Sequence, residues 1–124
     1  MATLDAHHRP HLVPICFAYD GSVFYTAVDR KPKKVAPTRL ARLKNIRGTP
    51  QVSLLIDEYD DNDWTHLWYV MVRGGAKLIS SQTERKHALS LLRKKYRQYA
   101  AGMLPDDAPI VCIRPQKVIA WGKI

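Results

Sequence analysis

Residues 10–28 hold two β-type runs separated by nothing longer than Asp20-Gly21. Two residues cannot carry a crossover, so the runs are expected to pair antiparallel as a hairpin. A short apolar run, residues 1–5, precedes them across a turn at residues 6–9, again without a helix between. Three successive strands with no intervening helix disfavour a parallel βαβ architecture.

The run at residues 10–19 is apolar on both faces, as for a strand buried on two sides. Pro14 inside it implies an edge, a bulge or a backbone group left free for a ligand. The returning strand covers residues 22–28. A helix is expected over residues 37–47, with Leu40, Leu43 and Ile46 on its apolar side, Pro37 in its first turn, and Gly48 and Pro50 ending it. Residues 51–56 read as a strand, and the acidic residues 57–63 as a loop. A long strand follows at 67–80, with a bend or bulge at Gly74-Gly75. Ser81 and Glu84 form a capping box that opens a helix to about Tyr99, with Ala88, Leu91, Leu92 and Tyr96 on one side. Residues 102–109 read as a loop, and 110–121 as a closing strand with a turn or bulge at Pro115.

This order predicts a mainly β (α+β) fold: an antiparallel barrel of six to seven strands with two or three helices. At 124 residues the chain is expected to be one domain. It shows no signal peptide or membrane span, which points to the cytoplasm. Cys16 and Cys112 lie far apart in apolar runs and read as free buried thiols.

Charge is distributed unevenly. Residues 30–47 contain eight basic residues and no acidic one; residues 57–63 contain five acidic residues and no basic one. With a net charge of +9, the chain should favour an anionic partner: nucleic acid, an acidic membrane surface, or a phosphorylated or carboxylated small molecule.

No Gly-rich phosphate loop, nucleophile elbow or paired cysteine motif is present. His7, His8 and His11 cluster near a turn, but nothing completes a tetrahedral metal set, and no metal is expected. If the protein is an enzyme, the chemistry belongs to a cofactor, and no side chain is expected to be catalytic. A cationic loop follows the strand end at Thr26. Its hydroxyl can donate to a phosphate oxygen, Arg30 offers a planar fork, and Lys31, Lys33 and Lys34 offer mobile charges.

Several segments occur together in order: residues 9–14, Asp20-Gly21, Phe24-Tyr25-Thr26, Asp29-Arg30-Lys31, residues 43–47 and residues 50–57. In that order and spacing the chain resembles the pyridoxamine-phosphate-oxidase-like split β-barrel flavoproteins. Within them it is most similar to the flavin/deazaflavin oxidoreductases that use coenzyme F-420. The resemblance covers nearly the whole chain. It implies a single split-barrel domain over residues 1–124 that binds FMN or a deazaflavin, and a homodimer with cofactor sites at the interface. It implies that Tyr25, Thr26 and Ala27 line the site, and that Thr26, Arg30, Lys31 and Lys33, with Lys34, hold the cofactor phosphate. The backbone at Val13 and Pro14 would lie near the ring, and Trp64, Trp68 or Trp121 could supply stacking surface.

The activity so implied is hydride transfer between reduced coenzyme F-420 and an unsaturated or quinone-like small molecule. An FMN-dependent oxidoreductase or oxidase of the same fold is the first alternative. A haem- or tetrapyrrole-binding split barrel, with His11 or His66 as iron ligand, is a second. A nucleic-acid-binding protein using the basic residues at 30–47 and 85–97 is a third, although the aromatics are not interleaved with the basic residues as on a stacking surface.

Overall fold

The computed structural model describes residues 1–122. Seven strands form one continuous sheet in which every pairing is antiparallel. They are β1 (Ala2–Leu4), β2 (Pro10–Leu12), β3 (Ala18–Tyr19), β4 (Phe24–Ala27), β5 (Gln51–Glu58), β6 (Trp68–Leu78) and β7 (Ile110–Gly122). Two α-helices, α1 (Ala41–Gly48) and α2 (Gln82–Lys95), are joined by short helical turns, including one at Tyr99–Met103. Across the sheet the order is β2-β1-β5-β6-β7-β4-β3.

That order explains the split. β2 and β3 are consecutive in the chain yet lie at opposite edges of the sheet. Residues 13–17 therefore run as a strap from one edge to the other. The sequence reads as one strand over 10–19, but the structure breaks it around Pro14. Proline lacks an N–H for the ladder, and the chain there changes edges rather than staying in register. At one end, Val13 and Met1 exchange hydrogen bonds, the N-terminal ammonium reaching the Val13 carbonyl at 2.7 Å. At the other, the Tyr96 hydroxyl accepts from the Phe17 N–H at 3.0 Å and donates to the Phe17 carbonyl at 3.1 Å.

The β3–β4 hairpin turns at Asp20-Gly21. The Asp20 carboxylate accepts from the Ser22 and Val23 N–H groups, and Gly21 takes a φ of +96°. β6 is uninterrupted, with a register shift between Arg73 and Gly74 opposite Pro115. A Cβ on Gly74 would lie 2.4 Å from the Arg114 carbonyl oxygen, so only glycine permits that crossing. β5 continues two residues into the acidic stretch expected to be loop. The helix expected at 37–47 is a 3-10 turn, Pro37–Arg39, followed by α1, with extended Leu40 between them. Ser81 caps α2, accepting from the Glu84 N–H at 3.3 Å.

Both faces of β4 are buried. Tyr25 and Ala27 face a core shared with Ala88, Leu89 and Leu92 of α2. Phe24 and Val28 face a second core with Leu43, Ile46, Val52 and Val72. β4 thus divides the two cores, and the loop that leaves it starts from a rigid strand end. No helix among the described residues is long and apolar enough to cross a membrane.

Candidate functional site

A cavity of about 390 Å³ opens where β4 ends and the strap crosses it. Strap residues Val13, Pro14 and Cys16 form one wall; Thr26 and Ala27 form the floor. Loop residues Asp29, Lys31 and Lys33 form the opposite wall, completed by Arg42 from α1 and Tyr99. Six of the residues expected at a cofactor site, Val13, Pro14, Thr26, Ala27, Lys31 and Lys33, thus meet here.

Asp29 organises the loop wall. Its carboxylate is 7% exposed. It accepts from the Lys31 N–H at 3.0 Å, the Tyr99 hydroxyl at 2.6 Å and the Lys31 ammonium, with the Lys33 ammonium at 3.4 Å. Burial pushes its pKa up, but the hydrogen bonds from Lys31 and Tyr99 outweigh burial and hold it at about 2. The same contact raises Lys31, and burial followed by the bond to Asp29 drives the Tyr99 phenol well upward. Asp29 is therefore a fixed anion and Tyr99 a fixed neutral donor.

Lys33 is a fastener rather than a free cation. Its ammonium donates to the Asp29 carbonyl at 2.6 Å and the Lys31 carbonyl at 2.7 Å, folding the loop onto itself. Thr26 is also committed: its hydroxyl donates to the Cys16 carbonyl at 2.7 Å and so ties the strap to β4. It can offer a ligand only its lone pairs while that bond holds.

Arg42 differs from every cation singled out in the sequence. It is half-buried in the cavity wall, and the described residues give its guanidinium no hydrogen-bond or ion-pair partner. Burial pulls its pKa down, and the charge on Asp29 only partly opposes this. A partly buried guanidinium that faces a cavity and lacks a protein partner can receive an anion through charge-assisted hydrogen bonds. In the sequence Arg42 is one of eight cations in a basic stretch, and nothing local singles it out.

The remaining expected residues lie elsewhere. Tyr25 is 3% exposed and packs edge-on to His87 in the α2 core, because it points to the opposite face of β4 from Thr26. Arg30 lines a different cavity, of about 640 Å³, on the outer side of the loop. Lys34 is exposed and lines neither. Trp121 stacks on Tyr69 at 5.8 Å near the far end of β7. Val111, ten residues earlier, is the partner of Thr26, so Trp121 stands about 30 Å along the strand from this cavity.

On the other side of the strap lies a smaller cavity of about 270 Å³, with Pro14 and Ile15 shared between the two. Its walls are Met1, Phe17, Leu54, Leu55, Ile56 and Asp57. One backbone segment thus borders two cavities, the larger lined by Lys31, Lys33 and Arg42 and the smaller by mainly apolar residues with Asp57.

No curated protein matches the chain in sequence. Solved structures share its fold at low identity. HutZ, the haem storage protein of Vibrio cholerae, is 14% identical with a TM-score of 0.74, over 98% of this chain and 82% of that one. An FAD-binding protein from Mesorhizobium loti is 22% identical with a TM-score of 0.64, over 96% and 78%. An F420 reductase is 22% identical with a TM-score of 0.62, over 95% and 85%. The family model described as pyridoxamine 5'-phosphate oxidase matches residues 1–122, and the chain belongs to that family.

Proposed function

We propose that the chain is an oxidoreductase that binds a flavin-type cofactor at the strap, with coenzyme F-420 as the cofactor and FMN as the alternative. The observation that carries this reading is the unpartnered, half-buried Arg42 in the cationic cavity. Arg42 and Lys31 would hold the phosphate, and the backbone of residues 13–16 would run beside the ring. When bound, such a cofactor supplies hydride transfer to an unsaturated or quinone-like substrate.

The chain's residues bind, orient and fix charge. Tyr99 keeps its own proton and donates it in a hydrogen bond to the Asp29 carboxylate, so neither group is free to act as an acid or base towards a substrate. A proton for the reduced product would come from solvent, consistent with the lack of a catalytic pair in the sequence. The cationic surface of residues 30–47 would attract the carboxylate tail of F-420. A homodimer completes the proposal. Leu55 and Trp121 are 62% and 55% exposed, and among the described residues the half of β7 beyond Arg114 pairs only with β6. An apolar face beside an open strand edge suits a second copy.

Among the described residues no histidine lines the cavity, which disfavours a histidine-ligated haem there. The test is titration of the purified protein with F-420 and with FMN, followed by fluorescence at low and high salt. F-420 should bind with strong salt dependence, and Arg42→Met should raise its Kd about tenfold or more, the scale of a charge-assisted contact. Failure of both cofactors to bind, or indifference to Arg42→Met, would overturn the reading.

A further inference from the structure

The loop wall carries a negative charge inside a pocket that is otherwise cationic. We propose that Asp29 sets the ligand charge the cavity accepts: it offsets one of three cations and so narrows the preference for a doubly charged phosphomonoester over a singly charged phosphodiester. This rests on reading the cavity as the site of a cofactor phosphate.

The case begins with the donors left for a ligand. Three cationic side chains line the cavity: Lys31, Lys33 and Arg42. Lys33 donates to two loop carbonyls and leans on Asp29, so its ammonium is tied into the loop. Lys31 shares its ammonium with the Asp29 carboxylate. Arg42 alone among the three is unpartnered within the described residues. An incoming phosphate would meet one free guanidinium and two lysines held by the loop, three cations against one fixed carboxylate in the same wall.

Asp29 cannot easily withdraw. Tyr99 holds one carboxylate oxygen at 2.6 Å, and the Lys31 N–H holds the other at 3.0 Å. The Arg30 N–H, next in the chain, is bonded to the Met103 carbonyl at 2.9 Å. Nor does Asp29 serve as a general base, since every proton in contact with it belongs to a lysine, a backbone amide or a high-pKa phenol. A buried, immobile anion beside an anion-binding cavity acts on ligand charge. It repels each added negative charge, so its effect on a dianion is about twice that on a monoanion. A phosphate linked on both sides carries one charge, and a terminal phosphate carries nearly two near neutral pH.

The test uses two ligands with the same ring and side chain, FMN and its phosphate methyl ester, which differ by one charge. Their Kd values are measured by flavin fluorescence quenching at fixed ionic strength, on the wild-type protein, Asp29→Asn and Lys31→Met. Wild type should favour FMN, but by less than Asp29→Asn does. Asp29→Asn should shift the ratio of Kd values about tenfold towards FMN, the scale of one unit charge acting over several ångströms at a half-exposed site. Lys31→Met leaves the carboxylate without its nearest counter-charge and should shift the ratio the opposite way. Lys31→Met removes a cation and gauges what one unit charge is worth here; Asp29→Ser carries the test should Asp29→Asn fail to fold. If both flavins bind wild type but neither Asp29 variant moves the ratio beyond about twofold, Asp29 does not set ligand charge while the cavity remains a flavin site. If neither flavin binds wild type, the cofactor reading and this proposal fall together.

Discussion

The Tyr99 hydroxyl donates to Asp29 at 2.6 Å inside the protein, so Tyr99→Phe removes one charge-assisted hydrogen bond without adding bulk. Such bonds contribute about 1.5–3 kcal/mol, more than neutral ones, because the buried carboxylate is left short of a donor. The depressed pKa gives a second measure. A fall from 3.8 to about 2 corresponds to roughly 2 kcal/mol of stabilisation, at about 1.4 kcal/mol per pH unit. Burial works against that fall; the hydrogen bond from Lys31 and then that from Tyr99 produce it. Lys31 survives in the variant, so the expected loss is about 1–2 kcal/mol near neutral pH.

The sign of the pH dependence follows from the direction of the shift. The folded-state pKa lies below the unfolded one, so the stabilisation is complete above about pH 4 and disappears as pH falls through about 2. The defect of Tyr99→Phe must shrink over that same window. Urea denaturation followed by tryptophan fluorescence, at about pH 7 and in steps down to about pH 3, measures it. An NMR titration of the Asp29 carboxyl should show its pKa moving up in the variant. A defect below about 0.5 kcal/mol at neutral pH, the size of an ordinary surface change, would refute the reasoning. So would a defect of unchanged size at low pH.

Arg42→Met should leave urea stability unchanged or slightly raised while weakening cofactor binding, because it removes a desolvated charge that the described residues do not pair. Stability and binding measured on one preparation separate these effects. Tyr96→Phe removes the hydroxyl that both accepts from and donates to Phe17, so it should cost about 1–3 kcal/mol in urea denaturation and also weaken cofactor binding by loosening the strap. Gly74→Ala forces a methyl group to 2.4 Å from the Arg114 carbonyl oxygen, and a midpoint unchanged in thermal unfolding would show that β6 and β7 can part there at no cost. The expected loss is about 2–3 kcal/mol, typical of overpacking.

Local chemistry made much of the frame legible in the sequence. Asp20-Gly21 turns the hairpin because aspartate can cap the following amides and glycine tolerates positive φ, and both facts are local. Ser81 and Glu84 mark the start of α2 for the same kind of reason. The fate of residues 13–17 was not legible, because a strap between sheet edges has the composition of a buried strand. Only the sheet order reveals that its two ends belong to different edges. Tyr99 reads as the last residue of α2. In the structure the helix stops at Lys95, and the next helical turn aims the phenol at Asp29, 70 positions earlier. A contact of that separation leaves no trace in a local pattern.

The cations of the loop differ in what they can offer a ligand. Arg30 and Lys34 are exposed, so salt and water screen their pull on a ligand. Lys31 and Lys33 are nearer the cavity, but Asp29 and the loop carbonyls already occupy them. The net charge of +9 can draw an anion towards the molecule, yet most of those charges offer no dry, unoccupied donor. Arg42 does, because α1 carries it into the wall of a cavity where its charge is partly desolvated and its fork is open. Under the proposed reading, long-range attraction comes from the exposed basic stretch, while Arg42 and Lys31 would hold the phosphate at the cavity. The two contributions separate experimentally, since added salt should weaken the first far more than the second.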